Sequence, residues 1–143
     1  MPDLRARALR LLTRREYGRL ELERRLAPYA PTLQELGALL DALEEQHLLS
    51  DQRYASQRVT ARASRFGNGR IANELRAKGI ADDLALAALA EGGDEMARCR
   101  GVWKKKFDSL PGSAEERAKQ MRFLFYRGFS SETIRRVLHS DED

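Results

Sequence analysis

The chain has 143 residues, a net charge of +4 from 26 Lys+Arg and 22 Asp+Glu, and one cysteine. It has no apolar run of the roughly eighteen residues that a membrane helix needs. A hydrophobic share of 42% beside 34% charged residues, with only four prolines, excludes a disordered or fibrous chain and suits a folded one.

Apolar residues recur at one-turn spacing along nearly the whole chain, and no segment alternates as a strand. The stripes predict nine helices over about 3–14, 19–28, 33–46, 51–64, 70–78, 82–91, 94–108, 114–127 and 131–139. Leu4, Ala8, Leu11 and Leu12 mark the first, Leu22 and Leu26 the second, and Leu33, Leu36, Leu40 and Leu43 the third. Tyr54, Ala55, Val59, Ala63 and Phe66 form the fourth stripe, and Met96, Cys99, Trp103 and Phe107 the seventh. Ala118, Met121 and Phe125 continue the pattern, with Leu124 inward beside them, and Ile134, Val137 and Leu138 close it. Thr32-Leu33-Gln34-Glu35 and Ser113-Ala114-Glu115-Glu116 read as capping boxes, and Ser50 and Ser130 as N-caps. Gly79 and Gly128 stand where a helix ends in a left-handed residue.

The pattern repeats with a period of 49 residues: Leu26, Leu75 and Leu124 align, then Ala30, Gly79 and Gly128, then Pro31, Ile80 and Phe129, then Leu40, Leu89 and Leu138. Arg70 recurs as Lys119, and Lys78 as Arg127. The expected fold is all-α, with three tandem three-helix repeats (1–49, 50–92 and 93–143) in an elongated, curved stack. Nothing in the composition points to a stable oligomer, so a monomer is expected.

Charge is uneven along the chain. Residues 1–50 hold eight arginines and eight acids and sum to zero. Residues 53–80 hold seven basic residues against Glu74 alone, and residues 98–127 nine against three, so each block carries +6. The tail, Asp141-Glu142-Asp143, is acidic. Two basic blocks suit a polyanion or an acidic protein surface.

Gly67-Asn68-Gly69-Arg70-Ile71-Ala72 has the spacing of a dinucleotide-binding fingerprint. It follows a basic helical segment rather than a buried strand, and Asp82 and Asp83 come too early for the ribose contact. The glycines are better read as a tight turn using positive φ. His47 and His139 are isolated, no serine sits in a nucleophile elbow, and adjacent acids such as Glu44-Glu45 point to different helix faces. The chain reads as a binding protein, not an enzyme, with no metal and no cofactor. Cys99 lies on an apolar stripe and reads as a buried hydrophobe. Having no internal disulfide partner, and following an N-terminus without a secretory apolar core, it favours a cytoplasmic location.

Four stretches resemble the RecX family, the bacterial regulators of the RecA recombinase. "ALRLLTRREYGRLELERRL" (8–26) is similar to the family's opening, with Gly18 where a capping serine is more usual. "LLSDQRYASQRV" (48–59) resembles its central signature at Asp51, Tyr54 and Ala55. "FGNGRIANELRAKGI" (66–80) resembles G-x-x-x-I-x-x-E-L-x-x-K-G-I, and "RFLFYRGFSSETIRRVL" (122–138) the closing R-G-F-S. The resemblance implies three helical repeats and a cytoplasmic protein that lies in the groove of the RecA filament. It also implies inhibition of ATP hydrolysis and strand exchange, and promotion of filament disassembly. Some members of the family bind DNA directly.

Two surfaces are candidates for partner or nucleic-acid binding. Arg58, Arg62 and Arg65 share a helix face and, with Arg70 and Lys78 on the next helix, form a basic strip. Phe123 and Tyr126 flank Lys119, Arg122 and Arg127, an aromatic-basic combination suited to stacking or to a protein contact. The leading expectation is a RecA modulator, and the alternative a helical DNA-binding module acting on single- or double-stranded DNA.

Overall fold

The computed structural model describes residues 3–139; the acidic tail lies outside them. The described residues form nine α-helices and no strand. They are α1 (Leu4–Arg14), α2 (Arg19–Leu26), α3 (Leu33–Glu45), α4 (Asp51–Arg62), α5 (Asn68–Ala77), α6 (Asp82–Glu91), α7 (Glu95–Lys106), α8 (Ala114–Tyr126) and α9 (Ser131–Leu138). A single 3-10 turn, Ala27–Tyr29, follows α2.

Short polar side chains start most helices. Asp3, Thr32, Ser50, Asp94, Ser113 and Ser130 each accept a hydrogen bond from an amide in the first turn of the helix they precede. In the box before α8, the Glu116 carboxylate reaches one residue past the N-cap and accepts from the Gly112 amide at 2.8 Å. Gly79 and Gly128 end α5 and α8 with φ of +78° and +97°. His47 takes φ 61° beyond α3.

The helices pack in threes, α1–α3, α4–α6 and α7–α9. Each triplet buries its own apolar cluster, so there is no common centre. Of the residues aligned by the 49-residue period, Leu26, Leu75, Leu124, Leu40, Leu89, Leu138, Ile80 and Phe129 are all buried, while Pro31 is exposed. In the third unit a polar residue holds a core position: buried Gln120 accepts from the Trp103 indole at 2.8 Å and donates to the Ser109 carbonyl at 3.2 Å. Following apolar residues alone therefore misplaces the stripe of α8. Phe125, expected inward, lies one residue off the buried Gln120–Leu124 line and is 65% exposed. Leu33, in the first turn of α3, is 83% exposed.

The joints between units are made the same way twice. α2 and α5 begin at glycine N-caps, Gly18 and Gly67, which offer no side chain to the free amides. The next unit supplies the acceptor. The Asp51 carboxylate, at the start of α4, takes the Arg19 amide at 2.7 Å, and the Glu95 carboxylate, at the start of α7, takes the Asn68 amide at 2.7 Å. The glycine ending the second helix of the later unit then lies against the earlier one, Gly79 on Leu20 and Gly128 on Arg70. Positive φ is not what Gly67 provides, for its φ is −83°. A Cβ there would stand 2.5 Å from the Gly128 carbonyl. The glycine instead admits two backbone bonds, Gly67 amide to Arg127 carbonyl at 2.7 Å and Gly69 amide to Gly128 carbonyl at 3.2 Å.

Four outcomes follow. Leu75→Ala, at a fully buried anchor, should lower unfolding free energy by about 2–5 kcal/mol in urea titration. Gly67→Ala should cost about 1–3 kcal/mol by overpacking the joint. By contrast, Gly101→Ala, with nothing within 4 Å of the added methyl in mid-α7, should stabilise by about 0.5–1 kcal/mol. Burial pushes the Cys99 thiol up to about 12, so it stays protonated at pH 8 and should react with a thiol reagent only after denaturation.

Candidate binding surface

Glu74 organises the basic strip. It is the single acid between residues 53 and 80, and three guanidiniums surround it. Arg62 grips it with both nitrogens, Nε at 3.0 Å and Nη2 at 2.6 Å. Arg58 and Arg70 each approach to 3.6 Å. One carboxylate thus holds three positive charges and neutralises one. The Arg58 Nε is buried and has no acceptor among the described residues.

Phe66 is the second organiser. It closes the α4 stripe but is only partly buried, one side packed on the core of the middle unit. Its ring meets Arg62 and Arg70, each with the guanidinium carbon 4.2 Å from the centroid, and Arg65 and Arg127 at 5.4 Å. Stacked arginines keep their charge while losing conformational freedom, which prepares them for a planar anion. α4 ends at Arg62, so Arg65 lies in the turn beyond it rather than on the helix face. The two candidate surfaces meet here. Arg127 also lies over the Phe123 ring at 5.0 Å, and its Nη1 donates to the Arg65 carbonyl at 3.2 Å. The Arg70 Nη1 donates to the Tyr126 carbonyl at 3.2 Å. Phe123 continues the series through an edge-to-face contact with Phe107 at 5.5 Å and Lys106 Nζ at 5.6 Å.

The other candidates lie apart. Lys78 faces the joint between the first two units, 3.8 Å from Glu21. There Arg15 binds Glu21 at 2.8 Å, which holds the Glu21 carboxyl below its ordinary value. Lys119 and Arg122 are exposed on α8 and form no ion pair among the described residues. Tyr126 is 78% exposed and, with Phe125, borders an open cleft of about 840 Å³ between α5 and α8. Arg98 is a structural cation: it donates to the Ala63 and Phe66 carbonyls at 2.9 and 2.7 Å and to Asn68 at 2.7 Å, bracing the end of α4. Burial pulls its pKa down from the usual arginine value.

Phe66 and Lys106 join this surface although sequence reasoning did not select them. Phe66 carried a signal, an aromatic at a helix end between two arginines, but its 3.6-residue spacing assigned it to the core.

Residues 50–89 match the model of the second three-helix domain of RecX, and residues 93–138 that of the third. The regulatory protein RecX of Chromobacterium violaceum is 46% identical over 141 residues, covering 99% of this chain and 92% of its own length. That of Herminiimonas arsenicoxydans is 46% identical over 144 residues, covering 99% and 94%. A crystal structure of RecX from Lactobacillus salivarius superposes with a TM-score of 0.86 at 22% identity, over 96% of this chain and 93% of that one, a likeness of fold. With the signatures of the middle and closing repeats in place and relatives aligned over almost all its length, this chain belongs to the RecX family of regulatory proteins.

Proposed function

We propose that the protein regulates RecA by lying along the groove of its filament and suppressing ATP hydrolysis and strand exchange. The observation that carries this reading is the cationic surface centred on Phe66 and Glu74, built across the joint between two units of a RecX-family chain. Long-range attraction steers such a surface to an acidic or phosphate-lined groove. Three separately packed units suit contact with successive subunits of a filament, since each can seat without rebuilding the others. Arg62 and Arg70 serve mainly to hold the surface in shape, because Glu74 and the Tyr126 carbonyl engage them. Arg65 and Lys106 present charge outward from it, and Lys78 adds a charge at the neighbouring joint, 3.8 Å from Glu21.

The test is ATP hydrolysis by RecA on single-stranded DNA, titrated with the full chain. The wild type should suppress turnover. Arg65→Gln/Lys78→Gln/Lys106→Gln leaves the Glu74 cluster intact and should need at least about tenfold more protein for the same suppression, about 1.4 kcal/mol of binding. No suppression by excess wild type would sink the reading. Equal potency of the folded triple variant would remove this surface from it.

A further inference from the structure

In the first unit, Arg7, Arg10 and Arg14 of α1 and Arg24 and Arg25 of α2 line a cleft of about 400 Å³. The three on α1 stand about one turn apart, so they share a face. No carboxylate lines this cleft, and among the described residues none of the five arginines is in an ion pair. Four acids of the unit are engaged elsewhere: Glu16 by Arg53, Glu21 by Arg15, and Asp41 and Glu44 by Arg19.

A second cleft, of about 650 Å³, adjoins the first and shares Arg7, Pro28 and Tyr29 with it. Its chemistry is different. Leu4, Leu39, Pro28 and Pro31 give it an aliphatic wall, and Leu4 and Leu39 also pack on the core of the unit. Its charges balance, Asp3 and Glu35 against Arg5 and Arg7. Tyr29 is common to both clefts and 55% exposed, with the Arg7 guanidinium carbon 3.8 Å from its ring centroid. The joined clefts thus run from a wholly cationic end to an apolar, electrically balanced one.

We propose that the joined clefts bind a peptide segment in which a run of Asp or Glu is followed by aliphatic side chains, the acids in the arginine cleft and the aliphatic groups against Leu4 and Leu39. Guanidinium forks grip carboxylates in pairs, and clustered arginines recognise acidic motifs. Burial of the aliphatic groups adds a contribution independent of charge. The change of charge along the clefts favours a peptide over a nucleic acid. A phosphate chain is negative at every step, so beyond Tyr29 it would meet Asp3 and Glu35 with no net attraction. The Tyr29 ring already carries a guanidinium on one face, and the wall beyond it is aliphatic, so successive bases find no aromatic rings to stack on. The inference does not rest on RecA regulation, and the joined clefts include none of the residues given that role above.

The test uses the full chain and a fluorescein-labelled peptide of four glutamates followed by two leucines, amidated at its C-terminus, with anisotropy read at low salt. The wild type should bind it. A peptide with serines in place of the leucines should bind at least about tenfold more weakly, a comparison that needs no variant. Arg10→Gln/Arg14→Gln/Arg24→Gln removes exposed charges only. It should keep the helical circular dichroism and melting temperature and weaken the leucine peptide at least about tenfold. No binding by the wild type, equal affinity for the serine peptide, or unchanged affinity in the folded triple variant would each overturn the inference. So would an oligothymidylate of equal charge that displaces the peptide at the same or lower concentration, which would make the clefts a phosphate site. Suppression of RecA without peptide binding would sink this inference alone, and peptide binding without suppression would leave it standing.

Discussion

The docking of the second unit on the third depends on the approach of one backbone to another at Gly67 and Gly128. Two peptide hydrogen bonds cross between units there, and they form because neither residue carries a Cβ. Close approach leaves the first amides of α5 without room for a local cap, and Glu95 from the following helix supplies one. The first two units share the carboxylate cap, Asp51 taking the Arg19 amide after Gly18, and there Gly79 packs on the Leu20 side chain. Each joint thus satisfies polar groups that its own tightness would otherwise strand, a condition for burying backbone at all.

The ends of the stack explain the exceptions to the repeat. Ala30 takes the place of Gly79 and Gly128, and no earlier unit packs against it among the described residues; its φ is an ordinary −82°. α8, the second helix of the third unit, is capped by its own Ser113. Gly67 therefore marks an interface rather than a turn, while Gly79 and Gly128 serve as both. The glycine-rich segment that resembles a nucleotide fingerprint is one half of such an interface.

The candidate surface inherits its shape from the joint. Arg127 and Phe123 are contributed by α8 and the turn after it, Arg62 and Arg70 by α4 and α5, and the backbone contact holds them together around Phe66. Glu74 then spaces the arginines without cancelling them. Such an arrangement keeps a high local charge compatible with folding, because cation–π contacts and one shared carboxylate offset part of the repulsion. In the first unit Arg7, Arg10, Arg14, Arg24 and Arg25 line one cleft without a carboxylate, and Arg7 stacks on the Tyr29 ring.

Helices, caps and most of the core were legible in the sequence because they depend on neighbours within one or two turns. Apolar spacing locates a buried face, and a serine or aspartate before it locates a start. The 49-residue period gave the units, and its anchors at Leu26, Leu75 and Leu124 are buried as periodicity requires. The basic strip and the aromatic-basic flank could each be recognised as a local cluster. Their union around Phe66 could not, since Arg65 and Arg127 are 62 residues apart. Nor could the arrangement of charge in the first unit, where summing along the chain gives zero while the fold lines one cleft with five arginines and no carboxylate. Gln120 and Phe125 show the same limit inside one helix: hydropathy cannot see that an indole across the core needs a polar partner. Sequence by itself determined what is periodic and local; the tertiary structure decided which distant charges and backbones meet, because that depends on how whole units dock.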